Sequence, residues 1–309
     1  MEIRGRRDNE CRNKGKQINI FLSIETWDID DTLLLLFLLH YHAIGKVNLL
    51  GVEIDRGTKL QNSYVKYILK LAEEDIPLFS RNLESHEDEI PEYYYTFFEG
   101  LKKEEKILPP REESLELLKG KNFTLIVGGS LNFAVFLLKA GITPSEIFFQ
   151  GGFAGFNITG KVNKKFGKKI FTPTFNLNKD IRASDEFFNL REKFDIPTYM
   201  VSKNVNHLII VKRSDIPLIP PKTKPQEVYL NILKKYLESI RREKSLHDVY
   251  TAVAFFNKNL FTWKEVKPIF RKGKKFREWG SEKNRGNLRI TVDAKEEEVK
   301  AYSLFKREF

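Results

Sequence analysis

The sequence predicts an α/β protein with a Rossmann-like core, in which an open, mostly parallel sheet is flanked by helices. Three observations predict this fold class. Strand-like and helix-like segments alternate along most of the chain, the strand-like segments are short apolar runs, and polar residues follow several of those runs. Alternation of this kind builds right-handed βαβ units, which place parallel strands side by side and cover both faces of the sheet with helices.

The individual elements follow from hydrophobic patterning. Strand-like patterns occur at residues 18–24, 47–54, 76–79, 123–129, 146–152, 196–202 and 207–211. Helix-like patterns occur at residues 33–43, 61–73, 131–141, 181–194 and 225–242. The acidic and aromatic section at residues 82–110 has neither pattern, so we expect it to be irregular.

Length and composition favour one domain. The chain has 309 residues, of which 41% are hydrophobic, and no linker rich in Gly, Ser or Pro divides it. We therefore expect one domain at residues 18–309, preceded by a basic tail at residues 1–17. The single cysteine, Cys11, can build neither a disulfide framework nor a cysteine zinc site, which is typical of a cytoplasmic, intracellular protein. The apolar run at residues 33–39 is too short to cross a membrane.

The chain is basic, with a net charge of +11. Positive residues form local runs at 4–7, 161–169 and 267–277. One interpretation is a surface that binds nucleic acid or another polyanion. The other, which we favour, is a solvated lysine-rich surface, because 42 acidic residues are interspersed with the basic ones.

Acidic residues cluster directly after the first predicted strand, in the segment ETWDIDD at residues 25–31. Carboxylates this close repel one another unless a cation neutralises them, and oxygen ligands of this type suit Ca²⁺ or Mg²⁺. Without a metal, at least one carboxyl group should have a raised pKa. The alternative is a helix N-cap formed by Asp30 or Asp31, but a cap explains one or two acids rather than four.

Other polar clusters follow other predicted strands, at residues 55–58, 128–132 and 150–157. Ligands of open α/β sheets bind beyond the carboxyl ends of the strands, so we expect these clusters to form one site. A distant acid, Asp248, follows His247 at the start of an apolar helical run. A histidine beside a metal-binding aspartate can protonate a leaving group near neutral pH. The alternative is a capping aspartate next to an incidental histidine.

These residues resemble the nucleoside hydrolases, the inosine–uridine-preferring N-ribohydrolases. That family opens with D-x-D-P-G-x-D-D, whose last two aspartates match Asp30 and Asp31. It carries a late H-D-P, whose first two residues match His247 and Asp248. The segments GGSLNFA and TPTFNLN are similar to its GPLTNVA and TPAAEFN. The resemblance implies a nucleoside hydrolase-like fold.

The opening differs from the main family pattern, because Thr26 stands where the family has the aspartate that activates water. The pattern E-T-x-D-x-D-D is instead similar to a divergent branch of the family. That branch also has counterparts of the segments QGGFAG, TFNLNKD, VSKNVNH, WKEV and WG, which occur here in the same order. The resemblance therefore extends from about residue 18 to about residue 293.

The resemblance implies a Ca²⁺-dependent N-glycosidase that cleaves the N-ribosidic bond of a nucleoside or related ribosyl compound, as in purine or pyrimidine salvage. It implies three metal ligands, namely Asp31, Asp248 and the carbonyl of Leu131. It implies three substrate-binding residues, namely Asp30, Asn176 and Thr58. It places His247 near the departing base as an acid or a base-binding group. Glu25 or Asp28 would replace the missing catalytic base.

Three functions remain open. The first is an active N-ribohydrolase, with a small nucleoside-like molecule as partner and no membrane association. The second is a catalytically degenerate relative that binds nucleic acid or a protein complex, and the third is other ribosyl or phosphate chemistry on the same scaffold. The retained set favours the first function; it comprises Asp30, Asp31, Asn176, His247 and Asp248. Family members commonly form dimers or tetramers, so a homo-oligomer is also expected.

Overall fold

The structure is a computed structural model, and it describes residues 17–84 and 90–309. Its strands are β1 (Ile18–Ile24), β2 (Val47–Ile54), β3 (Leu78–Phe79), β4 (Thr124–Val127), β5 (Glu146–Gln150), β6 (Thr198–Val201), β7 (Val211–Lys212), β8 (Glu243–Lys244), β9 (Phe261–Lys272), β10 (Arg277–Lys283) and β11 (Leu288–Ala294). Its helices are α1 (Ile29–Ala43), α2 (Lys59–Ala72), α3 (Tyr93–Phe97), α4 (Glu113–Leu118), α5 (Asn132–Lys139), α6 (Phe156–Thr159), α7 (Phe175–Lys179), α8 (Ile181–Lys193), α9 (Lys203–Asn206), α10 (Lys224–Ser239), α11 (His247–Phe256) and α12 (Glu296–Ser303).

A nine-stranded sheet runs through the described part of the chain in the order β10-β9-β11-β6-β5-β4-β1-β2-β3. The strands from β11 to β3 pair in parallel, whereas β9 is antiparallel to both β11 and β10. The predicted open, mostly parallel sheet flanked by helices is therefore confirmed. The strand order reverses between β1 and β4, and such a switch point opens a crevice at the carboxyl ends of the two strands.

The helix α1 begins beside this crevice and is buried in the core along most of its length. Its residues 33–39 are each at most 1% exposed, because α1 packs against α10 and α11 on one side and belongs to the same core cluster as β1 and β2. A helix that is apolar on every side is stable only when it is buried all round. None of the described helices is long and apolar enough to cross a membrane.

The structure differs from the predicted elements in several places. The section at residues 82–110, which was expected to be irregular, contains the short helix α3. The run at residues 207–211 is not a strand of the main sheet. Only its last residue, Val211, lies in a strand, and that strand pairs with β8 in a separate two-stranded ribbon. Its apolar residues are explained by tertiary packing, since Ile209 is fully buried in the core. The antiparallel hairpin of β9 and β10 was not predicted. Most side chains of β9 are exposed or half-buried, so its hydrophobic pattern is weak.

The predicted basic tail falls almost entirely on residues 1–16, which lie outside the described residues together with Cys11. The division into a tail and one domain stays a prediction.

Candidate functional site

The acidic segment forms the turn from β1 into α1, beside the switch point of the sheet. Asp28 is the N-cap of α1, and its side chain accepts a hydrogen bond from Ile29 N at 2.7 Å. Its own N–H donates to Asp31 Oδ2 at 3.2 Å, which completes a capping box. The turn therefore does contain a helix N-cap, but the capping residue is Asp28 rather than the predicted Asp30 or Asp31, and Asp31 contributes as the third residue of the capping box. This cap leaves Glu25, Asp30 and the second oxygen of Asp31 to be explained.

Asp31 and Asp248 meet beneath the loop that follows β4. A Cβ atom placed on Gly128 would lie 3.6 Å from both Asp31 Oδ1 and the carboxyl carbon of Asp248. The two carboxyl groups therefore lie within van der Waals reach of the same point of the backbone, and the tighter contact for a side chain at this position would be Leu34 Cδ2 at 3.1 Å. Burial raises the pKa of each group well above its usual value, and the neighbouring Asp30 adds to both shifts. The expected raised pKa is present in this cluster.

The carboxyl oxygens of Asp31 and Asp248 are the kind of ligand that a hard cation such as Ca²⁺ prefers. Asp31 Oδ1 is buried and has no hydrogen-bond partner in the described part of the chain. Within residues 17–84 and 90–309, no three acidic, histidine or cysteine side chains surround one point closely enough to hold a metal. The pair could therefore bind Ca²⁺ only with backbone carbonyls, water and ligand hydroxyls completing the coordination, which Ca²⁺ accepts.

A buried lysine, Lys244, neutralises one end of the acidic segment. Its Nζ lies 2.6 Å from Asp28 Oδ2 and 3.1 Å from Asp30 Oδ1, and its side chain is only 9% exposed. Burial alone would lower the pKa of Lys244, but the carboxylates of Asp30 and Asp28 raise it above its usual value. Lys244 therefore stays positively charged and opposes the rise in the pKa of Asp28 that burial and the neighbouring Asp30 cause.

A second lysine, Lys179, neutralises charge at the other end of the acidic segment. Its ammonium group contacts Glu25 and lies 3.7 Å from Asp55 Oδ2. Asp55 is fixed by Ser130, whose N–H and hydroxyl both donate to it at 2.8 and 3.0 Å. Burial lowers the pKa of Lys179 to about 8, although the carboxylate of Asp248 opposes this shift. Lys179 thereby joins the turns that follow β1 and β2, and Asp55 joins them to the turn that follows β4.

The acidic segment and Asp248 line a cavity of about 370 Å³, which is the size of a small-molecule site. Of the predicted residues, those that line it are Glu25, Asp28, Asp30, Asp31, Asn176, His247 and Asp248. Asn176 reaches it from α7, and its amide donates to Gly128 O at 2.7 Å and to Gln150 Oε1 at 2.9 Å. Residues separated by more than two hundred positions are therefore brought together at the carboxyl edge of the sheet.

Two predicted residues lie outside the residues that line this cavity. Thr58 is the N-cap of α2, where its side chain accepts from Gln61 N at 3.3 Å and its N–H donates to Gln61 Oε1 at 2.9 Å. The carbonyl of Leu131 accepts from Val135 N at 3.0 Å at the start of α5. Both positions therefore have a clear local role in starting a helix.

His247 lies at the start of α11 with its ring almost perpendicular to that of His207, 5.0 Å away. Its Nδ1 is 3.8 Å from Asp30 Oδ2, and its Nε2 has no partner among the described residues. Burial, followed by the positive charge of Lys244, lowers the pKa of His247 to about 3. The imidazole is therefore neutral at physiological pH and can bind a base through one N–H or one lone pair.

Sequence reasoning missed several residues at the cavity. Trp27 and Phe175 line it and are 48% and 60% exposed, and exposed aromatic rings of this kind can stack on a planar ligand. Lys244 was also missed, although it lies three residues before His247. The signal that could have found Trp27 and Phe175 is their position inside the acidic segment and the TPTFNLN segment.

Comparison with known proteins identifies relatives of this chain. No family model matches the chain. A protein of Aquifex aeolicus (strain VF5), described as uncharacterized, is 57% identical over 292 residues, which are 94% of this chain and 100% of that protein. The two proteins belong to one family.

Solved structures identify the fold of this family. An inosine-guanosine nucleoside hydrolase has a TM-score of 0.68 at 12% identity, covering 93% of this chain and 97% of its own. A plant nucleoside hydrolase has a TM-score of 0.63 at 17% identity, covering 92% and 96%. The type III effector protein XopQ, solved with adenosine diphosphate ribose, has a TM-score of 0.62 at 14% identity, covering 93% and 92%. The family of the Aquifex protein and this chain therefore has the nucleoside hydrolase fold.

Proposed function

We propose that this protein is a Ca²⁺-dependent N-ribohydrolase of the divergent E-T-x-D-x-D-D type, acting on a nucleoside or a related ribosyl compound. The observation that carries the proposal is the convergence of Asp31, Asp248, Asn176 and His247 in one cavity. This cavity lies at the switch point of a nucleoside hydrolase fold. The nucleoside hydrolases and the ribosyl-bound effector among the structural neighbours support a ribosyl ligand.

The carboxylates suit the charge that develops during N-glycoside cleavage. Breaking this bond creates positive charge on the sugar ring, and fixed negative groups nearby stabilise it. Asp30 forms an ion pair with Lys244 and can accept hydrogen bonds from ribose hydroxyls. Asn176, which is fixed by its bonds to Gly128 and Gln150, would orient the same sugar. Thr58, which caps α2, stays a predicted sugar contact.

The proposed Ca²⁺ would be held by Asp31 and Asp248, with the carbonyl of Leu131 as a further predicted ligand. When bound, it would supply positive charge that makes a water molecule easier to deprotonate. Glu25 or Asp28 would accept that proton, because both line the cavity. Lysines contact both carboxyl groups. Burial and the neighbouring Asp30 raise the pKa of Asp28 above its usual value, although Lys244 opposes this shift, so Asp28 is a stronger base than an ordinary aspartate.

The base of the substrate would lie near His247. Because its pKa is about 3, the neutral imidazole would bind and orient the departing base through a hydrogen bond. Trp27 and Phe175 offer aromatic faces at the same cavity, where a planar base can stack.

The test is the release of free base and ribose from a panel of purine and pyrimidine nucleosides in the presence of Ca²⁺. Asp31→Asn and Asp248→Asn should each lower kcat about a hundredfold or more, because each replaces a carboxylate ligand of the proposed Ca²⁺. The same variants should lose the Ca²⁺ binding that calorimetry detects in the wild type. Glu112→Gln is the matched control, since Glu112 is 63% exposed.

A wild-type protein that neither hydrolyses any nucleoside nor binds Ca²⁺ would contradict the proposal. That result would favour the second candidate, a catalytically degenerate protein that binds nucleic acid or a protein complex. The observation in favour of this candidate is that Lys179 already contacts Glu25, while Thr26 replaces the family's aspartate and is buried beside Gln61. A role in purine or pyrimidine salvage, a cytoplasmic location and a homo-oligomeric state stay predictions.

A further inference from the structure

Positive side chains line the same cavity as the carboxylates. Lys165 and Lys203 both contribute to its wall, and so does His207. Lys165 Nζ lies 3.2 Å from His207 Nδ1, and Lys203 Nζ donates to Pro173 O at 2.8 Å. Neither contact neutralises an ammonium charge. The cavity therefore combines an acidic side, whose carboxylates pair with Lys179 and Lys244, with a basic side on which, among the described residues, neither Lys165 nor Lys203 forms an ion pair with a carboxylate.

The loop that carries Lys165 is well fixed. Asn163 and Gly167 exchange two backbone hydrogen bonds at 3.1 and 2.8 Å, and Asn163 Oδ1 accepts from Lys165 N and Phe166 N. Phe166 is 8% exposed and packs edge-on against the ring of Phe153, 5.2 Å away. The run at residues 161–169 is thus more than a solvated surface, because one of its lysines is directed into the cavity.

The ammonium groups of both lysines lie near the ring of Phe166. Lys165 Nζ and Lys203 Nζ lie 5.8 and 5.7 Å from the centroid of its ring. Burial lowers the pKa of Lys203, and the positive charges of Lys165 and Lys169 lower it further. Burial also lowers the pKa of His207 to about 3, with contributions from His247 and Lys165. The part of each shift that comes from neighbouring positive charges reflects repulsion that a bound anion would relieve.

We propose that the cavity binds a ribosyl compound that carries a phosphate group, and that Lys165 and Lys203 hold this phosphate. The proposal rests on the proposed N-ribohydrolase function and adds its substrate class. Lysine is a common phosphate ligand that acts as a compact positive charge. The acidic side of the cavity accepts hydrogen bonds from hydroxyl groups, whereas a phosphate there would be repelled. A phosphorylated pentose has the two kinds of group that these two sides require.

The experiment compares AMP and ADP-ribose with adenosine as substrates, at fixed ionic strength and with Ca²⁺ present. We expect the wild type to have a kcat/KM for at least one phosphorylated compound that is about tenfold or more above that for adenosine. Lys165→Ala should lower this ratio about tenfold, in line with the loss of one charge-assisted hydrogen bond. Lys165→Arg should restore most of the ratio. Lys168→Ala is the matched control from the same loop, because Lys168 lies over the ring of Phe156 instead.

A binding measurement separates this inference from the proposed function. Calorimetry with ribose 5-phosphate, ribose and inorganic phosphate should show tightest binding for ribose 5-phosphate, with about tenfold weaker binding in Lys165→Ala. A protein that hydrolyses adenosine but gains nothing from the phosphate in either assay would overturn the inference and leave the function standing. A protein that is inert towards every substrate but binds ribose 5-phosphate through Lys165 would support the phosphate site and overturn the function. Equal affinity for ribose 5-phosphate and inorganic phosphate would overturn the inferred pentose compound.

Discussion

Replacing Lys244 by methionine should destabilise the protein, because it removes the positive charge from a buried ion pair. Lys244 Nζ lies 3.1 Å from Asp30 Oδ1, and the Asp30 side chain is only 3% exposed. With an effective dielectric constant of about 20, Coulomb's law gives an attraction of about 5 kcal/mol at this separation. The contact with Asp28 contributes less, since that carboxylate is 45% exposed and screened by water. Loss of one partner of a buried pair typically costs about 3–5 kcal/mol.

Urea denaturation followed by circular dichroism measures this change in the free energy of unfolding. The matched control is Lys102→Met, because Lys102 is 75% exposed and 4.0 Å from Glu104, and it should change stability by less than about 1 kcal/mol. Adding Asp30→Asn to Lys244→Met should recover part of the loss, since the uncompensated carboxylate is then removed. If Lys244→Met were as stable as the control, the buried pair would not stabilise the turn from β1 into α1 as argued.

Three further predictions concern residues around the site. Burial, together with the negative charge of Asp55, raises the pKa of Glu53 from 4.5 to about 8. The contribution of Glu53 to stability is therefore complete below pH 4.5 and is lost as the pH rises through about 8. Glu53→Gln should flatten this decline in urea denaturation between pH 5 and pH 9, and an unchanged profile would contradict the shift. Lys179→Met should strengthen Ca²⁺ binding about tenfold in calorimetry, because it removes a positive charge near Asp248, and weaker binding would count against a cation at that pair. Thr58→Ala should cost about 1 kcal/mol of stability through loss of the α2 cap, whereas an accompanying large rise in KM would show that Thr58 also touches the sugar.

Much of the parallel part of the fold could be predicted because its signals are local. The strands β1 and β2 have the predicted bounds, and α1 has a continuous apolar run that only a core helix requires. The hairpin of β9 and β10 could not be predicted in this way. Its residues face solvent along much of their length, so its pairing depends on backbone hydrogen bonds rather than on a hydrophobic pattern.

The residues of the candidate site also divide into those that local sequence patterns predict and those that they do not. Carboxylates after β1, and His247 with Asp248 at the start of α11, could be found from sequence, because such residues after a strand or before an apolar helix are unusual. The basic side of the cavity could not. Lys165 looks like any lysine of a basic loop until Phe166 fixes that loop against His207.

The sequence by itself determined the alternation of elements and the carboxylates at the strand ends, since both depend on residues close together in the chain. Only the tertiary structure decided which lysine neutralises which carboxylate. Lys244 and Asp28 are 216 positions apart, and no local pattern records the partner of a charge across that separation. The balance of buried charge, which governs both stability and the chemistry open to this cavity, is therefore a property of the folded molecule.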